Sequence, residues 1–199
     1  MQYKTLFDFE KMLSDFTGAP FVVLTDGCTH ALELCLRYDR IKSCQFTPFT
    51  YLSVPMLMTK LGIDFSYLDE PRQTWIGEYP LLDTRIWDSA RLLKRNMYRS
   101  GQMQCLSFGN TKPLQLGKGG AILLDDFEAH RVLSMLRSDG RDLKINPWIS
   151  QKEFYLGYHY CPTLELCQQG MELLSTVDQE PKFIQYNDCR QIRINQHVF

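Results

Sequence analysis

The chain has 199 residues, 44% hydrophobic and 23% charged, with a net charge of −1 and a pI near 6.4. That length suits one large domain, or a core domain with a short appendage, and can bury a sizeable core. The near-neutral balance leaves no electrostatic footprint for a nucleic-acid backbone, no apolar run approaches membrane-spanning length, and the N-terminus does not read as a basic-then-apolar signal peptide.

Leu6, Phe9, Met12, Leu13 and Phe16 recur at helical spacing, and Gly18 ends that helix. Residues 20–24 read as a short buried strand. The turn Asp26-Gly27-Cys28-Thr29 then opens a helix whose apolar face carries Ala31, Leu32, Leu34, Cys35 and Leu36. A second strand is expected over 43–46. A helix follows over 51–61, ended by Gly62, with Pro55 kinking it or shifting its start. A third strand covers 63–68. Another strand is expected within 80–87, ending at Asp88, and a short helix begins over 89–94. Arg91, Lys94, Arg95 and Arg99 read as a solvated basic face. Strands over 103–108 and 120–124 come next. The helix over 126–136 has acidic residues early and arginines late, as its dipole favours. The last helix covers 163–174, and beyond Asp178 the chain is polar, with short extended segments. Strands alternating with helices predict an α/β fold, a mostly parallel sheet flanked by helices on both faces. In such sheets ligands gather at the carboxyl ends of the strands.

The seven cysteines (28, 35, 44, 105, 161, 167 and 189) are odd in number, and none is spaced as CxxC. They suit reduced core thiols and a cytoplasmic compartment rather than a disulfide framework. His30, His130, His159 and His197 form no ligand motif with them, so no metal site is expected. Gly109 and Gly117-Lys118 lie too far apart for a phosphate-binding loop of the nucleoside-triphosphatase type.

Four groups map to strand ends. Gly27-Cys28-Thr29 places backbone N–H groups at a helix start, where they can bind phosphate. Tyr51 can stack on a planar ring or serve as core. Asp88, just past an apolar strand, can pair with a protonated ring nitrogen or cap a helix. Ser107 and Lys112 flank a Gly/Asn/Thr loop that can aim the amine at a carbonyl to form a Schiff base. Together these are what pyridoxal phosphate requires.

From about Phe9 to Leu174 the chain resembles the DegT/DnrJ/EryC1/StrS sugar aminotransferases, which have the fold-type-I pyridoxal-phosphate architecture. The resemblance rests on motifs in register. They are Cys28-Thr29-His30-Ala31-Leu32, Pro48-Phe49-Thr50-Tyr51, Gly62 with Leu68-Asp69, and Trp87-Asp88-Ser89-Ala90. Further along come Ser107-Phe108 through Thr111-Lys112 to Gly117-Lys118-Gly119-Gly120, then Arg137-Ser138-Asp139-Gly140-Arg141-Asp142, and Gly157-Tyr158-His159-Tyr160.

The resemblance implies that Lys112 forms the Schiff base and shuttles protons. It implies that Asp88 pairs with the pyridinium nitrogen, that Tyr51 stacks on the ring, and that Cys28, Thr29 and Ser107 hold the phosphate. Arg91 stands where the family has Gln or His beside the ring hydroxyl. His159 stands where it has an Asn that reaches the partner subunit's cofactor, which implies a homodimer with shared active sites. The expected donor is glutamate and the expected acceptor a keto group, such as that of a nucleotide-linked sugar. Cys161-Pro162 replaces the family's Arg-Met, and the 70–80 region is short. Residues 1–175 are expected to form the cofactor-binding large domain, and 176–199 a short C-terminal remnant where relatives carry a further domain. Two other readings remain: a pyridoxal-phosphate enzyme of different reaction type acting on a modified nucleotide, and a binding or structural module that has lost catalysis.

Overall fold

The computed structural model describes residues 2–177 and 180–194. Asp178, Gln179 and residues 195–199, among them His197, lie outside the described residues.

The first helix, α1 (Lys4–Thr17), buries Leu6, Phe9, Leu13 and Phe16 along one stripe. It ends where Gly18 turns left-handed at φ 78°, and the Gly18 N–H closes on the Ser14 carbonyl. The chain continues as β1 (Phe21–Thr25), α2 (Cys28–Tyr38), β2 (Ser43–Phe46), α3 (Ser53–Leu61) and β3 (Asp64–Tyr67). Pro55 falls in the first turn of α3, where its missing N–H costs nothing, so it does not kink the helix. Then follow β4 (Tyr79–Pro80), β5 (Ile86–Asp88), β6 (Met103–Ser107), β7 (Gly120–Leu124), α4 (Phe127–Leu136) and α5 (Leu164–Leu173).

The main sheet has five strands in the order β1-β7-β6-β5-β4, and β2 pairs with β3 in a separate parallel ribbon. The fold is α/β, but the sheet is mixed rather than mostly parallel. β1, β5 and β6 run one way. β7 lies reversed between β1 and β6, so β5–β6 is the parallel pair of this sheet. The cause is local. The β6–β7 connection contains no helix, and a parallel return needs a crossover of a dozen or more residues, usually helical.

Two further expectations are corrected. The strand expected to end at Asp88 is β5, and an unforeseen β4 precedes it, folded back antiparallel through a turn in which Asp83 adopts φ 63° and Thr84 Oγ1 donates to the Leu81 carbonyl at 2.6 Å. The helix expected over 89–94 does not form. Asp88 accepts the Ala90 N–H and the Leu92 N–H closes one turn on the Ser89 carbonyl at 3.1 Å, but the Arg91 N–H is drawn to the Gly77 carbonyl at 3.1 Å and no further turn follows. The basic residues nearby do not share one solvated face either. Arg99 pairs with Glu78 and lies over the Trp87 ring, and Arg95 lies over Phe16.

Period-two alternation along the strands sends side chains to two cores. Val23, Cys105, Ile122 and Leu124 pack with α2, α3 and α4 on one face. Val22, Leu24, Leu106, Ala121 and Leu123 pack with α1 and α5 on the other. α5 closes on α1 because Gly170 has no side chain; a Cβ there would sit 2.3 Å from the Phe9 ring. Arg137 is not a solvated partner of the α4 dipole. It is the C-cap, 1% exposed, bonding Glu10 of α1 and the Leu24 carbonyl of β1 at 2.9 Å. The described C-terminal residues return over the 48–77 region. The Cys189 N–H bonds the Pro48 carbonyl at 2.8 Å and the Tyr186 N–H bonds Gln73 Oε1 at 3.0 Å.

Candidate active site

The shared direction of β1, β5 and β6 brings three carboxyl ends to one edge of the sheet. A cavity of about 500 Å³ opens there. Cys28, Thr29, Tyr51, Asp88, Arg91, Ser107 and Lys112 all line it. His159 does not. Its side chain is 90% exposed and held by Asp139 at 3.1 Å.

β1 ends at Thr25 and the chain turns through Asp26-Gly27 into α2. No side chain caps α2, so its first N–H groups face the cavity without an intrahelical partner. Thr29 Oγ1 and Ser53 Oγ bond each other at 2.9 Å beside them. Aligned N–H groups, the positive helix end and two hydroxyls give this turn the chemistry of an anion cradle. The start of β7 supports it closely. A Cβ on Gly120 would meet the Cys28 nitrogen at 2.6 Å and the Leu106 carbonyl oxygen at 2.7 Å. The spacing Gly117-x-Gly119-Gly120 thus has a steric reason at Gly120.

β5 ends at Asp88, 7% exposed. The Tyr79 hydroxyl donates to its Oδ2 at 2.7 Å and the Ala90 N–H to its Oδ1 at 3.0 Å. Thr50 Oγ1 bonds the Tyr79 hydroxyl in turn. Burial pushes the Asp88 carboxyl up, against these hydrogen bonds and the charges of Lys112 and Arg91, which favour the carboxylate. Burial and the Asp88 charge push the Cys28 thiol well up, so it stands in the cavity as a neutral thiol donating to the Cys105 carbonyl at 3.6 Å.

β6 ends at Ser107. The loop after it carries Lys112, whose N–H bonds the Gly109 carbonyl at 3.0 Å. In the sheet order two strands separate β1 from β5, so the cradle and Asp88 stand roughly 14 Å apart at their backbones, three spacings of about 4.8 Å. Ser107 and Lys112 come from β6, between them. The site therefore suits an elongated molecule with a phosphate at one end, a cationic nitrogen against Asp88 at the other, and an electrophilic carbon facing Lys112. The residues present fit pyridoxal phosphate.

Tyr51 stands at the rim, 64% exposed. The sequence did not single out Tyr79, Trp75 or Tyr186, which also line the cavity. Trp75 packs on Tyr79 with ring centroids 4.8 Å apart. These aromatics lie in a segment read only as short and in the C-terminal remnant, and no spacing signal marks them. His30 also lines the cavity; its Nδ1 meets Asp26 at 2.5 Å and its ring stacks on Tyr160 at 3.7 Å.

Residues 1–86 and 89–178 match the sequence profile of the DegT/DnrJ/EryC1/StrS aminotransferase family. A comparison with curated proteins gives no match. Among solved structures, the sugar aminotransferase CalS13 from Micromonospora echinospora superposes with a TM-score of 0.71 at 18% identity, covering 86% of this chain and 60% of its own. PseC of Helicobacter pylori, an aminotransferase involved in the biosynthesis of pseudoaminic acid, gives 0.69 at 15%, covering 87% and 58%. DesI, solved in the presence of its TDP-sugar product, gives 0.67 at 16%, covering 86% and 53%. At these identities the likeness is one of fold, and the chain spans between half and two thirds of the length of these structures.

Proposed function

Since this chain belongs to the DegT/DnrJ/EryC1/StrS aminotransferase family, we propose that it binds pyridoxal 5′-phosphate and transfers an amino group, from glutamate, to the keto group of a nucleotide-linked sugar. The observation that carries this reading is the convergence of the uncapped α2 start, buried Asp88 and Lys112 on one cavity, each from a different strand end. The sugar enters through the names of the structural neighbours, two of which act on or make sugars.

When bound, pyridoxal phosphate supplies an electrophilic carbonyl and an electron-withdrawing ring. The chain supplies the rest. Thr29, Ser107, the Cys28 backbone and the α2 N-terminus hold the phosphate. Tyr51 covers a ring face from the rim. Asp88 would hold a proton on the ring nitrogen, and the hydrogen bonds from Tyr79 and Ala90 favour its carboxylate form against its burial. Lys112 Nζ is the nucleophile toward the carbonyl. As a free amine it is also the base that takes and returns the donor's Cα proton. Arg91 lies beside Asp88 and Lys112 with its charge felt at Asp88.

We further propose a homodimer in which His159, exposed and oriented by Asp139, serves the neighbouring subunit's site. In this reading residues 1–175 form the cofactor-binding body and 176–199 a short extension of it. The seven cysteines are free thiols, which supports a reducing, cytoplasmic setting. No helix among the described residues is long and apolar enough to cross a membrane.

The test is the absorption spectrum of the protein with pyridoxal phosphate, beside Lys112→Ala, before and after glutamate. The proposal predicts a visible band that needs Lys112 and fades with glutamate. A Lys112-dependent band indifferent to glutamate and other amino donors would favour a different pyridoxal reaction. The absence of any band would favour a binding or structural module.

A further inference from the structure

The described C-terminal residues do more than cover the body. Gln73, 7% exposed, receives the Tyr186 N–H on Oε1 at 3.0 Å and donates from Nε2 to the Ile184 carbonyl at 3.1 Å. The Cys189 N–H anchors to Pro48 and the Cys189 thiol donates to the Thr50 carbonyl at 3.4 Å, with Arg190 Nη2 on the Glu70 carbonyl at 3.0 Å. These anchors deliver one side chain, Tyr186, into the cavity wall, packed on Trp75 at 5.5 Å. Its hydroxyl accepts from Arg91 Nε at 2.7 Å, and its ring lies 5.3 Å from the guanidinium carbon. Arg91 Nη1 donates to the Thr111 carbonyl at 3.1 Å, next to Lys112.

The guanidinium is thus gripped at two nitrogens, and among the described residues Nη2 has no hydrogen-bond partner. Of the other charged groups lining the cavity, Asp26 is paired with His30 and Lys118, and Asp88 is satisfied by Tyr79 and Ala90. Arg91 and Lys112 are two half-buried cations that lie near Asp88, with Glu180 in the adjoining cleft, and neither forms a direct ion pair with a carboxylate among the described residues. A rigidly held guanidinium with a free N–H edge favours a carboxylate, and the anion cradle for phosphate lies at the other end of the site, on α2. An amino donor presenting its amine near Lys112 carries its carboxylate at the adjacent carbon.

We propose that Arg91 is the carboxylate-recognition residue of this site and that Tyr186, brought in by the C-terminal segment, positions it. The proposal deepens the aminotransferase reading, on which the identity of the donor rests. It also makes the C-terminal segment part of the substrate site.

The experiment measures binding of 2-oxoglutarate and of its dimethyl ester by calorimetry, to wild-type protein, Arg91→Gln, Arg91→Lys and Tyr186→Phe, with and without pyridoxal phosphate. Thermal melts check that each variant is folded. A charge-assisted hydrogen bond of about 1.5–3 kcal/mol corresponds to roughly 10- to 100-fold in affinity. The proposal predicts that loss for Arg91→Gln, partial retention for Arg91→Lys, and about three- to tenfold weakening for Tyr186→Phe, with the ester insensitive to all three. Equal affinity of wild type and Arg91→Gln for 2-oxoglutarate overturns the proposal. So does wild-type binding no tighter than for the ester. If the Lys112-dependent band forms while the dicarboxylate ignores Arg91, the carboxylate site falls and the cofactor reading stands. If no band forms but dicarboxylate binding needs Arg91, the cofactor reading falls and the carboxylate site stands.

Discussion

Gly120 ties the sheet to the anion cradle, and replacing it tests that link. An added Cβ would lie 2.6 Å from the Cys28 nitrogen, 2.7 Å from the Leu106 carbonyl oxygen and 2.8 Å from the Gly27 carbonyl carbon. All three are backbone atoms, so no flexible side chain can swing aside. Ordinary contact begins near 3.4 Å, and the α2 start must therefore retreat from β7 by about 0.8 Å. Overpacking of this kind costs about 1–3 kcal/mol, and the stiffer unfolded chain returns about 0.4–1 kcal/mol. The expected net loss is about 1–2 kcal/mol, or roughly 2–8 °C in Tm for a chain of this size. The same retreat moves the phosphate donors, and a misplacement near 1 Å can cost about 100-fold in function. Gly27→Ala is the matched control for stability alone, since Gly27 itself lines the cavity: its Cβ meets nothing within 4 Å and its φ of −177° is open to any residue. Urea unfolding and a pyridoxal-phosphate titration of both variants provide the assay. A Gly120→Ala protein within about 0.5 kcal/mol of wild type, with unchanged cofactor affinity, would refute the reasoning.

Other outcomes follow from the same contacts. Arg137→Met should cost about 3–5 kcal/mol by denaturant unfolding, because it strands the Glu10 carboxylate in the interior; adding Glu10→Gln should restore part of that loss. Tyr79→Phe removes a hydrogen bond that favours the Asp88 carboxylate over its burial. The Asp88 carboxyl then rises further, and the acid limb of cofactor capture, read from the visible band against pH, should move to higher pH. Burial opposes ionisation of Glu33, but Lys60 and Arg37 hold its carboxyl below the usual range. A depressed carboxyl gives stability that is present above its unfolded value, about 4.3, and is lost as pH falls through its folded value. The stability gap between wild type and Glu33→Gln should therefore narrow steadily on acidification below about pH 4.3, measured by unfolding at stepped pH.

Much of this was legible in the chain because the signals were local. The α1 stripe with Gly18, the turn into α2 at Cys28, and the ends of β1 and β6 all follow from apolar period and turn residues. So did the meeting of Lys112 and Asp88, once both were placed at the carboxyl ends of strands. What failed was set by tertiary partners. The Arg91 N–H goes to Gly77 and not back along a helix, which apolar spacing cannot foretell. The reversed β7 is marked only by the helix-free β6–β7 link, which favours an antiparallel return. Tyr79 and Tyr186 reach the site through long-range hydrogen bonds to Asp88 and Gln73, and no sequence period connects those positions.

The central claim is that Lys112, among all the lysines of the chain, is the amine that captures the cofactor. Incubation with pyridoxal phosphate, borohydride reduction and peptide mass spectrometry would locate the attachment directly. The account predicts a pyridoxyl group on Lys112, lost in Lys112→Ala and weakened in Gly120→Ala. Attachment at Lys118, or spread across surface lysines with Lys112 unmodified, would contradict it.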